Sequence, residues 1–180
     1  MVATAADVLS FWQNAGPDRW FTKDTVFDDQ IREHFLETYE AAAAGKLSAW
    51  EQNPQDALAL VIVLDQFPRN MFRGDARAFA TDPLARAITA GAIVRGFDGQ
   101  VAKELRGFFY LPFEHSEDLA DQERAIAFNK AIGDDDGLKW AEIHADIIRR
   151  FGRFPHRNAV LGRATTPDEQ KFLDDGGFSG

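Results

Sequence analysis

The chain has 180 residues, 45% of them apolar, enough for a domain that buries roughly two thirds of the surface its unfolded chain exposes. Twenty Lys and Arg stand against 29 Asp and Glu, a net charge of −9, which disfavours non-specific binding to nucleic acid or to an anionic membrane. Cysteine is absent, so disulfides, thiol nucleophiles, iron–sulfur clusters and thiolate zinc sites are excluded together.

The longest unbroken apolar run, Ala57 to Leu64, is far shorter than the roughly twenty residues of a membrane-spanning helix. The first residues carry neither the basic nor the apolar segment of a secretory signal, so the expected location is the cytoplasm. Apolar residues recur at helical spacing nearly everywhere, which predicts one all-α domain over 1–180 with about eight helices.

The first helix spans about 4–15 and stops at Gly16-Pro17. The second runs from about Asp24 to Ala44, with Phe27, Ile31, Phe35, Tyr39 and Ala42 on one face. Asn53-Pro54 starts a third helix, with Asn as N-cap and Pro at the first helical position. Its run Ala57 to Leu64 is apolar on every side, which marks it as the central helix, and Pro68 is expected to end it. Asp82-Pro83 opens the next helix and Gly96 closes it; a short helix at about 99–107 follows. Ser116 is expected to cap a helix of about 117–132 that Gly133 ends, and Trp140, Ile143, Ile147 and Phe151 share a face of a helix at about 138–151. Thr166-Pro167-Asp168-Glu169 combines a capping box with an N-terminal proline, which predicts a last helix to about Asp174. Phe67-Pro68-Arg69-Asn70 is echoed by Phe154-Pro155-His156-Arg157-Asn158, each after an apolar helix. The echo suggests helical hairpins stacked as in an α-solenoid; the alternative is a coincidence of two Phe-Pro stops.

Three polar segments mix ionisable and large apolar residues where helices must stop. In the first, Asp65 lies in the last turn of the apolar helix, where the helix dipole disfavours a negative charge. Arg69 and Arg73 are its expected partners, either as a buried clamp or, with Asn70, as ligand-binding groups beside Asp65 as a candidate acid–base carboxylate. In the second, Tyr110 to Glu117, Glu114 and His115 fall outside the expected helix and are candidate acid–base residues, because imidazole titrates near neutrality. In the third, from His144 to Arg163, five arginines and one acid, Asp146, reverse the sign of the whole chain locally. Arginine without lysine suits bidentate recognition of carboxylate or phosphate. Arg149 and Arg150 are explained by the helix C-terminus, leaving Arg153, Arg157, Asn158 and Arg163 as ligand-binding candidates and His156 as an acid–base one.

His144 falls on or beside an apolar helix face and reads as a hydrogen-bonded core residue; His34 is assigned no function. His115, His144 and His156 supply metal-ligand types without a compact zinc motif, so no metal is assigned. There is no glycine-rich phosphate loop, nucleophile elbow or dinucleotide fingerprint, and the cofactor is left open.

At Leu64-Asp65-Gln66-Phe67-Pro68-Arg69-Asn70, Tyr110 through Glu117, and Phe151-Gly152-Arg153-Phe154-Pro155-His156-Arg157-Asn158 with Leu161-Gly162-Arg163, the chain resembles the bacterial family named domain of unknown function 924. The resemblance extends over nearly all of the chain. It implies an all-helical fold similar to tetratricopeptide-like domains, and it implies no activity. The residues themselves point to a site for a small anionic ligand, with possible acid–base catalysis, formed where the three segments converge. The alternative is a module that binds a protein or peptide on a concave helical surface.

Overall fold

The computed structural model describes residues 1–179, which are helical with no strand among them. Two compact units partition the chain, Met1–Pro112 and Phe113–Gly180.

The first unit contains α1 (Ala5–Ala15), α2 (Pro17–Trp20), α3 (Thr25–Ala43), α4 (Pro54–Met71) and α5 (Asp82–Val94). Its helix starts follow local chemistry. Thr4 and Asp7 form a capping box on α1, Asp24 accepts from the Val26 and Phe27 amides to start α3, and Asn53 accepts from the Asp56 amide before Pro54 in α4. The run Ala57 to Leu64 is buried on all sides, and α4 packs against α1, α3 and α5. It is the central helix that its uninterrupted apolarity requires. Beside it, the Phe67 ring meets Trp12 at 5.7 Å and Phe35 at 4.9 Å.

Pro68 does not end α4, which continues to Met71. A proline inside a helix leaves the carbonyl four residues earlier without its donor. Here that carbonyl belongs to Leu64, and the Thr81 hydroxyl donates to it at 2.6 Å. A side chain just ahead of α5 thus replaces the missing backbone bond, and the last turn, with Arg69 and Asn70, stays helical. The segment expected as a short helix at 99–107 is instead two 3-10 turns, Asp98–Gln100 and Lys103–Phe109.

The unit boundary falls within α6 (Leu111–Glu114). The second unit then holds α7 (Leu119–Ile132), α8 (Asp135–Phe151) and α9 (Pro167–Asp174). Asp118, not Ser116, caps α7, accepting from the Ala120 amide at 2.9 Å. Ser116 instead accepts from the Asp118 amide and donates to Asp121, bracing the approach to the helix. Gly133, at φ 67°, and Asp134, which caps α8, make a two-residue hairpin that packs α7 on α8. Ile147, Ile148 and Phe154 form the core on the far end of α8. Thr166 and Glu169 close the expected capping box on α9.

Candidate functional site

The first segment is satisfied within its own unit. Asp65 is wholly buried, and Arg69 spans it and Asp82. The Arg69 guanidinium donates to the Asp65 carbonyl at 2.6 Å and, as a two-pronged fork, to both Asp82 oxygens at 3.0 Å each. Burial works against the charge on Arg69, but the two carboxylates hold its pKa above the ordinary value. Arg73 does not turn back to Asp65. It forms a bidentate pair with Asp28 on α3, at 2.9 Å for both bonds, and Asn70 donates to the same carboxylate at 2.8 Å.

The second and third segments meet in the second unit. Glu117 accepts from Arg163 at 2.7 and 3.0 Å and from the Phe154 amide at 2.9 Å. Burial pushes the Glu117 carboxyl up, but these hydrogen bonds and the charges of Arg163 and Arg157 bring its pKa below the ordinary value. Arg153 pairs with Glu169 on α9 at 2.6 and 2.9 Å, and Asn158 donates to the same carboxylate at 3.2 Å. Arg153 is the main reason that the Glu169 carboxyl is held down at about 2. Arg157 is buried with its guanidinium 4.4 Å from the centre of the Phe154 ring.

Glu114 and His144, both buried, approach each other at 3.0 Å, from Glu114 Oε1 to His144 Nδ1. The same nitrogen lies 2.8 Å from the Trp140 carbonyl oxygen. Both neighbours are acceptors when Glu114 is ionised, so Nδ1 carries the proton and Nε2 of the neutral ring is left with the lone pair. Gln122 fixes the Glu114 end, donating at 2.6 Å to the carbonyls of both Glu114 and Ser116. Around the dyad, the His115 ring is 6.4 Å from His144, Phe154 is 5.5 Å from His144, and His156 is 5.7 Å from Phe154. Three of the four candidate acid–base residues, Glu114, His115 and His156, therefore lie about one histidine that its helical spacing assigned to the core. His144 is indeed buried and hydrogen-bonded; that its partner is Glu114, some thirty residues away, has no local signature.

Among the described residues, no group of three or more His, Asp or Glu could hold a metal ion, and no helix is long and apolar enough to cross a membrane. An open depression of about 410 Å³ in the first unit is lined by Asp7, Asn14 and His34, among others, and one of about 470 Å³ in the second by α8 with Phe172 and Phe178. None of the candidate residues lines either.

The model of a family described as bacterial proteins of unknown function, DUF924, matches residues 8–177. A solved structure, the protein of unknown function ATU0120 from Agrobacterium tumefaciens, is similar to this chain at 51% sequence identity with a TM-score of 0.92, over 96% of this chain and 97% of that one. No functionally curated protein matches. With the family model spanning nearly the whole sequence, this chain belongs to the bacterial DUF924 family.

Proposed function

We propose that the second unit carries an acid–base site for a small anionic molecule, a carboxylate or phosphate, in a cytoplasmic protein, with His144 as the base and Glu114 as the group that orients it. The supporting observation is the pair of acceptors on His144 Nδ1, which fixes the tautomer and turns Nε2 into the basic atom. A carboxylate-oriented imidazole of this kind is a recurring solution for proton abstraction and nucleophile activation. His115 and His156 flank it as further proton carriers. Arg157 holds the ligand's charge, and the buried Asn158 Oδ1, which has no hydrogen-bond donor in the structure, offers an acceptor to the ligand. Arg69, Arg73, Arg153 and Arg163 are each matched to an internal carboxylate, which supports clamping rather than ligand binding for them.

The test is a thermal-shift screen of carboxylate and phosphate metabolites, repeated on Arg157→Lys and His144→Gln. Anions that raise the Tm of the wild type should lose that effect in Arg157→Lys, because lysine lacks the planar fork. Turnover of any hit should fall about a hundredfold or more in His144→Gln. A folded wild type that no anion stabilises counts against the reading. A second reading, a protein- or peptide-binding module, draws on the paired helices α3–α4 and α7–α8 and on exposed Phe21 and Val26.

A further inference from the structure

A ring from the segment after α9 packs against the histidine cluster. Phe178 lies 4.4 Å from His144 and 5.3 Å from His156 between ring centres, at interplanar angles of 67° and 77°, and 6.4 Å from Trp140. Those edge-on contacts define a slot for one planar ring, with two imidazoles on its sides. Phe178 is only half-buried, and the depression of about 470 Å³ along α8 opens directly onto it. The slot thus has a route to solvent once the ring moves.

The backbone delivers this ring by a route that only glycine permits. After α9, Gly176 adopts φ 81°, a left-handed conformation. A Cβ on Gly177 would lie 2.5 Å from the Phe172 ring. The Gly176 amide donates to the Leu173 carbonyl at 3.1 Å and that of Gly177 to the Phe172 carbonyl at 2.9 Å, so the tail is anchored up to Gly177. Phe178 makes no backbone hydrogen bond among the described residues. Its position rests on the ring contacts and on packing against the Ile147, Ile148 and Phe154 core. A two-glycine joint followed by a side chain held only by its ring is built to exchange.

We infer that this slot is an aromatic-ring subsite of the acid–base site and that Phe178 is its built-in occupant, which an aromatic ligand displaces. The inference takes its location from the site reading above and narrows the ligand class to small aromatic compounds, of which an aromatic carboxylate would also engage Arg157. An occupant that leaves the slot free a tenth of the time weakens apparent affinity about tenfold.

The experiment titrates benzoate and, separately, benzyl alcohol into the wild type and into Phe178→Ala, following the ring proton shifts of His144 and His156 by NMR. Circular dichroism establishes that each protein is folded. Phe178→Leu, which keeps apolar cover over the Phe154 core without a planar ring, serves as a second variant. The expected result is movement of both histidine signals in the alanine variant at ligand concentrations about tenfold lower than in the wild type, with Phe178→Leu between them. Equal midpoints in wild type and folded variants, or no histidine shift with either compound, overturn the inference. If benzyl alcohol binds the variant as tightly as benzoate, the ring subsite stands and the anionic part of the site reading falls.

Discussion

Two buried carboxylates, Asp65 in the first unit and Glu114 in the second, show how the same group serves different ends. Asp65 and its neighbour Asp82 are joined through Arg69, a cation that stays protonated at any ordinary pH and whose terminal nitrogens donate to the Asp65 carbonyl and the Asp82 carboxylate. Nothing there is left to change state. Glu114 faces an imidazole whose Nδ1 is committed and whose ring packs among aromatic side chains. A fixed charge paired on both sides makes a clamp; a titratable partner with one committed atom makes a reactive pair.

The largest effect expected of this contrast lies in the clamp. Arg69→Ala removes the cation that spans two buried carboxylates and should destabilise the protein by about 3–5 kcal/mol, lowering Tm by roughly 10 °C. Calorimetric melting checks this. Arg69→Lys should recover only part of the loss, since a point charge cannot serve both Asp82 oxygens. A melting temperature unchanged in Arg69→Ala would remove the clamp from the account.

The clamp was half legible in the sequence. Asp65 and Arg69 are one helical turn apart, so their pairing follows from spacing alone if the helix continues through Pro68. It continues because the Thr81 hydroxyl caps the Leu64 carbonyl, a contact between residues seventeen apart that no local pattern announces. Arg73 went to Asp28 for the same reason: the α3–α4 packing, invisible in spacing, decides which carboxylate is nearest. Helix ends governed by adjacent residues, such as Asn53-Pro54 and the Thr166 capping box, were readable, as was the central place of α4. Glu114 stood out as a charge without a helix-capping role, whereas His144 looked like core because an apolar face and a buried base share one helical period.

A smaller effect separates a clamp of the second unit from the dyad. Glu169 has its folded pKa held at about 2 against an ordinary 4.5. A depressed carboxylate adds stability that is complete above about pH 4.5 and disappears as pH falls from there towards 2. Arg153→Ala should therefore destabilise the protein at pH 6 and do so less at pH 3, as measured by urea unfolding. A penalty that is the same at both values would show that Arg153 acts through packing, not through the charge of Glu169.

The smallest expected change in stability belongs to the reactive pair. His144→Gln retains a side-chain amide that can donate to Glu114, so unfolding free energy should fall by only about 1 kcal/mol, while turnover of any ligand from the anion screen is lost. A loss of stability comparable to that in Arg69→Ala, with turnover retained, would make the dyad a second clamp.

The tautomer of His144 tests the central claim most directly. Long-range nitrogen–proton correlation NMR of the histidine rings, recorded at the alkaline end of the His144 titration, distinguishes a protonated from an unprotonated Nδ1. The account predicts a proton on Nδ1 and a lone pair on Nε2, with Glu114→Gln weakening that preference. A neutral ring protonated on Nε2 would contradict it, because Nδ1 would then be unable to donate to either the Trp140 carbonyl or Glu114.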